Sequence, residues 1–152
     1  MSRTTRLTAL ACIAALALGA CGSSYKGLTK AEFVKQAVAI CKTGDAKLTK
    51  IGNSIGHNPT ITQIQAVYAD QLVPALKDEV ASLRALKPPK ADRTQVSKIF
   101  DDLSTGIDQA SAAIKSLKSE KELTTLAEPA ALKSANTEAT AYGLAKCANS
   151  SA

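Results

Sequence analysis

The chain has 152 residues, a formal net charge of +6 at neutral pH, four cysteines, one histidine and only 3% aromatic residues. One histidine excludes a His-based catalytic triad or a multi-histidine metal site within a single chain, and Met1 as the only methionine leaves haem without its usual ligand pair. Lysines spread along the chain among few aromatics argue against a nucleic-acid footprint.

At the N-terminus, Arg3 and Arg6 precede an apolar run from Leu7 to Leu18 that only Thr8 interrupts, and Gly19 and Ala20 place small side chains before Cys21. About twelve apolar residues fall short of a ~30 Å bilayer core, so no mature transmembrane anchor is expected. The segment resembles a bacterial lipoprotein signal peptide, with Leu18-Gly19-Ala20-Cys21 matching the lipobox. That resemblance implies removal of residues 1–20 and acylation of Cys21, whose two or three chains would hold the protein firmly on the extracytoplasmic face of the membrane where one chain would hold weakly. Residues 21–28, rich in Gly and Ser, read as a lipidated flexible tether. Cys12 falls in the discarded segment.

What remains is 132 residues, one domain's worth, carrying all thirteen acidic residues and seventeen of the nineteen basic ones for a balance of +4. Cys41 and Cys147 form an even pair in a compartment that permits disulfides. A metal site or a reactive thiol is the rival use of these sulfurs, but no Cys-x-x-Cys occurs and the histidine is distant in sequence. A structural disulfide is therefore expected.

The first helix opens at a capping box of Thr29 and Glu32, with Leu28 and Phe33 spaced as a hydrophobic staple. Val34, Cys41, Leu48 and Ile55 fall seven apart, with Ala37 and Ile51 between them, so one stripe faces a core until Gly52 to Gly56 ends the helix. After the His57-Asn58-Pro59 turn, Thr60 and Gln63 cap a second helix. Its apolar series Ile64, Val67, Tyr68, Leu72, Val73, Leu76, Val80 and Leu83 is interrupted by Pro74, which removes a hydrogen bond to the Asp70 carbonyl and predicts a kink. Pro88 and Pro89 stop it.

Asp92 with Gln95 is expected to cap the third helix, whose stripe runs Val96, Ile99, Phe100, Leu103, Ile107, Ala110, Ile114 and Leu117, with Asp101, Asp102, Asp108, Lys115 and Lys118 on the other face. Ser119 and Glu122 read as the cap of a short helical turn, and Pro129 as the lead into a fourth helix along Leu132, Ala135, Ala139 and Tyr142. Gly143 suits the left-handed position past a helix end, with Leu144 folding back over it. Cys147 is then expected in a short extended tail, with residues 148–152 disordered.

No strand pattern competes, so the fold class is all-α. Four helices on short links favour an antiparallel up-down four-helix bundle over residues 29–147, which brings the end of the last helix beside the start of the first and hence Cys147 near Cys41. The features Phe33, Val34, Ala37, Ile40 and Cys41, followed by Tyr142, Gly143, Leu144 and Cys147, resemble a group of small helical lipoproteins from high-GC Gram-positive bacteria. The resemblance implies an exported helical domain with a disulfide and carries over no catalytic residue.

A search for chemistry gives little. His57 reads as a loop residue. The pairs Asp78-Glu79 and Asp101-Asp102 point about 100° apart on a helix and fall on faces that read as solvated. No phosphate-binding glycine loop, EF-hand or paired Glu-x-x-His motif occurs, and neither cofactor nor metal is expected. Two functions remain: a non-catalytic interaction or scaffold module that meets an envelope protein or lipid, and a binder of a small apolar ligand in a cavity near Pro74 lined by Phe33, Tyr68, Phe100 and Tyr142.

Overall fold

A computed structural model of the chain describes residues 25–148, which are helical with no strand among them. Expectations for the leader, for Cys21 and for Asn149 to Ala152 concern residues outside those described. No helix among the described residues is long and apolar enough to cross a membrane.

Helix α1 (Lys30–Ser54) starts where its capping box is predicted: the Thr29 hydroxyl accepts from the Glu32 N–H at 3.2 Å, and the Glu32 carboxylate accepts from the Thr29 N–H at 2.9 Å. Two otherwise orphaned donors are satisfied reciprocally, and Glu32 is held below its usual pKa, chiefly by the Thr29 side chain and then by its N–H. The buried face is centred on Phe33, Ala37, Cys41 and Ile51, while Val34, Leu48 and Ile55 lie at its half-buried flanks.

The second capping box, Thr60 with Gln63, opens α2 (Ile61–Val67). A π-helical turn over Tyr68–Leu72 follows, in which the Val73 N–H bonds the Tyr68 carbonyl, and α3 (Val73–Ala85) continues from it. This is the form the expected irregularity takes. Pro74 cannot donate and would crowd the carbonyl four residues back, so the ladder shifts register by one residue just before it.

Helix α4 (Arg93–Ser116) is entered through a 3₁₀ turn over Lys90–Asp92. The expected Asp92–Gln95 cap does not form. Asp92 has helical angles (φ −96°, ψ −2°) where a capping residue needs extended ones, and its carboxylate instead accepts a 2.7 Å hydrogen bond from the Tyr142 hydroxyl. The predicted stripe is buried from Val96 to Leu117, Leu103 being half-buried. At the other end of α4 the Gln65 side-chain amide donates to the carbonyls of Ile114 and Leu117, each at 3.0 Å. One residue of α2 thereby adds a donor to two carbonyls at the C-terminal end of α4, where backbone donors run out.

Ser119 precedes α5 (Glu120–Leu123) without a side-chain cap: the Glu122 N–H bonds the Ser119 carbonyl at 3.2 Å, and the Glu122 carboxylate accepts from the Lys118 N–H at 2.8 Å. Helix α6 (Ala130–Tyr142) follows Pro129 and ends as expected, with Gly143 at φ +108° and the Leu144 N–H bonded to the Ala139 carbonyl at 2.8 Å. The extended tail is overturned: residues Ala145–Ala148 form a further helical turn, α7, in which the Cys147 N–H bonds the Leu144 carbonyl at 2.8 Å. Leu144 is buried at the reversal and the chain coils back over the core, so residue 148, also buried, belongs to the packed body.

Helix α4 lies against α3 and α6, and α1 against α3 and α7. The predicted disulfide joins Cys41 of α1 to Cys147 of α7, with Cα atoms 5.1 Å apart and 106 residues between them in sequence. Helices α4 and α6 come close at Gly106, where an added Cβ would sit 2.7 Å from the Leu132 nitrogen and 2.8 Å from its Cβ. Gly106→Ala is therefore expected to destabilise by about 1–3 kcal/mol in urea unfolding, despite the ~1 kcal/mol that alanine gains over glycine inside a helix. A neutral or stabilising result would show that α6 can retreat without cost.

Candidate functional site

One end of the body gathers the start of α1, the end of α3, the start of α4 and the end of α6. Phe33 and Tyr142 meet there edge to face, with ring centroids 6.0 Å apart, and both are almost wholly buried. The Lys30 ammonium lies 4.4 Å from the Tyr142 ring centroid. Burial first, and then the bond it donates to the Asp92 carboxylate, raise the Tyr142 phenol above its ordinary pKa. Phe100 belongs to the same core, whereas Tyr68 sits half-buried in the π turn and is not part of that cluster. Of the four aromatics proposed to line a cavity, the structure brings three into one packed core.

The same end carries a groove that sequence reasoning missed. The Tyr25 hydroxyl donates to the Pro88 carbonyl at 2.6 Å, the Leu28 N–H to the Lys87 carbonyl at 2.9 Å, and the Arg93 guanidinium lies 4.6 Å from the Tyr25 ring centroid. The tether expected over residues 21–28 is thus held against the body from Tyr25 onward. Two prolines in Lys87-Pro88-Pro89-Lys90 deny that loop regular backbone pairing, which leaves its carbonyls open to the incoming segment.

Beneath Tyr25 the groove has a volume of about 950 Å³, is open to solvent, and is bordered by Lys87, Lys90, Arg93 and Phe100. Arg84 is paired with Asp101 at 2.7 Å, and Lys98 with Asp102 and Glu138, each at 2.7 Å. Lys26, Lys87 and Lys90 have no ion-pair partner among the described residues.

A second groove, about 420 Å³, runs between α1 and α3 beside Lys47, Asp78 and Glu79. Here the reading of Asp78 and Glu79 as a solvated pair is corrected. Asp78 is exposed, with Lys47 at 3.5 Å, whereas Glu79, turned about 100° away, enters the seam half-buried. Its Oε2 and the Asp45 Oδ1 are buried without a hydrogen-bond partner, and a side chain at Gly44 would collide with the Glu79 carboxylate.

Desolvation, and then the Asp45 charge, push the Glu79 pKa from 4.5 to about 7. A raised carboxyl pKa means the folded state binds the proton more tightly, so stability falls as pH rises from 4.5 through 7. Glu79→Gln, which imitates the protonated acid, is expected to stabilise the protein at pH 8 by about 1–2 kcal/mol, discounted for solvent access, and to change little near pH 4. Urea unfolding at the two pH values checks this, and an equal effect at both would remove the titration from the explanation.

His57 is exposed in the bend between α1 and α2. Among the described residues, no group of three or more His, Cys, Asp or Glu side chains gathers where it could hold a metal ion. No family model, no curated protein and no solved structure matches the chain.

Proposed function

We propose that the protein is a membrane-tethered extracytoplasmic lipoprotein acting as a non-catalytic interaction or scaffold module at the cell envelope, its longer helices forming an antiparallel up-down bundle. The observation that carries this reading is the Cys41–Cys147 disulfide, which ties the two ends of the body together and suits an oxidising compartment. The bundle topology is supported by contacts at one end: Leu28 with Lys87, Phe33 with Tyr142, and Tyr142 with Asp92. Attachment is through lipid on Cys21, and the body meets a protein or lipid of the envelope and not a nucleic acid. Packing of Phe33, Phe100 and Tyr142 into one core weighs against the alternative of a small apolar ligand held among them.

The test is fractionation with intact mass measurement. The mature chain should begin at Cys21, carry acyl chains and sediment with membranes, and Cys21→Ser should release it. A pull-down from membranes should enrich the same partner with the acylated form alone. A mature chain without acyl groups would end the tethering reading, and a small molecule co-purifying in native mass spectrometry would favour the ligand binder.

A further inference from the structure

We propose that the basic end around Tyr25, formed by Lys26, Lys87, Lys90 and Arg93, is the face the body lays on an anionic lipid surface, with phosphate-bearing headgroups seated at the groove beneath Tyr25. The inference rests on the tethering reading for its anchor and on three structural observations for its site.

First, Tyr25 is pinned to Pro88 and stacked with Arg93, so the described body begins at this end. Cys21 lies four residues before Tyr25, and four extended residues reach at most about 14 Å. An acyl anchor on Cys21 would therefore keep this end, and no other, next to the headgroups. The opposite end, beyond a 25-residue α1, stands about 37 Å away.

Second, the charges here are available. Acidic side chains bordering the groove or close to it are already engaged: Asp101 with Arg84, Asp102 and Glu138 with Lys98, and Asp92 with the Tyr142 hydroxyl. Lys87, Lys90 and Arg93 flank the groove without an ion-pair partner among the described residues, and the Arg93 guanidinium lies over the face of Tyr25. A net positive rim thus faces outward.

Third, the groove is open, and Tyr25 and Arg93 place an aromatic ring and a guanidinium on its wall. This combination suits the boundary between headgroup and acyl chain, where amphipathic aromatics settle and cations meet phosphate. Each cation brought near an anionic leaflet contributes about fivefold to partitioning. Two acyl chains would supply the attachment, and the rim would supply the orientation.

The test uses the mature acylated protein, its acylation verified by intact mass, inserted in vesicles of phosphatidylcholine with or without phosphatidylglycerol. Trace acetylation of lysines is read by mass spectrometry. Lys87 and Lys90 should label at least about threefold more slowly on the anionic vesicles. Lys50 and Lys121, both exposed and at the other end, should be unchanged, and high salt should abolish the difference.

Equal labelling of Lys87 and Lys90 on both vesicles would overturn the proposal, as would slowing at Lys50 and Lys121 instead. The same slowing on neutral vesicles with millimolar inorganic phosphate would make the groove a site for the free anion and overturn the membrane assignment. Should the chain carry no acyl groups, the tethering reading fails by itself. Sedimentation of that chain with the anionic vesicles then carries the test, and K87Q/K90Q should weaken it about 25-fold; an unchanged partition would refute the proposed face.

Discussion

Replacing Cys41 and Cys147 together with alanine is expected to lower the midpoint of thermal unfolding by about 15 °C, the largest effect of any change considered. The two cysteines are separated by 106 residues, so the bridge closes nearly the whole body into one loop. In the chain-entropy account, a loop of that length withdraws about 4 to 5 kcal/mol of freedom from the unfolded state. The folded state loses something as well, because Cys41 is fully buried between Phe33, Ala37 and the α7 turn. Against a net stability of about 5–15 kcal/mol for an ordinary domain, the reduced protein is left marginal. Calorimetry with and without reductant measures this. A shift under about 3 °C would show that the unfolded chain already holds its ends together, so that the bridge withdraws little entropy.

Phe33→Ala is expected to cost about 3–5 kcal/mol, as removal of a large, wholly buried aromatic does when its neighbours cannot close the gap. The ring has 0% of its surface exposed and stands edge to face with Tyr142, which is fixed on its far side by the bond to Asp92. Collapse into the void would have to break that bond or draw α6 toward α1 against the disulfide. Tyr68→Ala, at a half-buried ring outside this core, should cost clearly less. Urea unfolding of the two variants separates the cases. Near-equal stability of Phe33→Ala and the unaltered protein would mean that Phe33 lines a space other groups can fill, which is what a ligand cavity requires.

The fold was readable in the sequence wherever a few neighbouring residues decide the outcome. The Thr29–Glu32 and Thr60–Gln63 boxes place two helix starts because both partners lie within one turn. Gly143 ends α6 because its left-handed backbone is a local property. Asp92 followed the same rule on paper and broke it in the structure, since a tyrosine fifty residues away takes its carboxylate. Cys147 pairs with Cys41 as its sequence position predicts, yet it lies in a helical turn where an extended tail is expected, because the burial of Leu144 that coils α7 depends on the core below it.

For the candidate site, less was legible. Lys87-Pro88-Pro89-Lys90 reads as a helix stop, and nothing within it announces that Tyr25 and Leu28 will donate to its carbonyls. Glu79 sits beside Asp78 in the chain with the same chemistry, yet one is solvated and the other is forced against Asp45.

By itself the sequence determined the starts of α1 and α2, the end of α6, and a pattern that is helical and without strands over the described residues. Caps, staples, glycines and prolines act through the backbone within about four residues. Tertiary structure alone decided which acid meets a tyrosine and which meets another acid, that α4 and α6 must touch backbone to backbone at Gly106, and that the chain's entry segment closes over a basic groove. Each of these depends on what another helix presents across the gap, and the periodic pattern that buries a face does not specify which residue will stand opposite it.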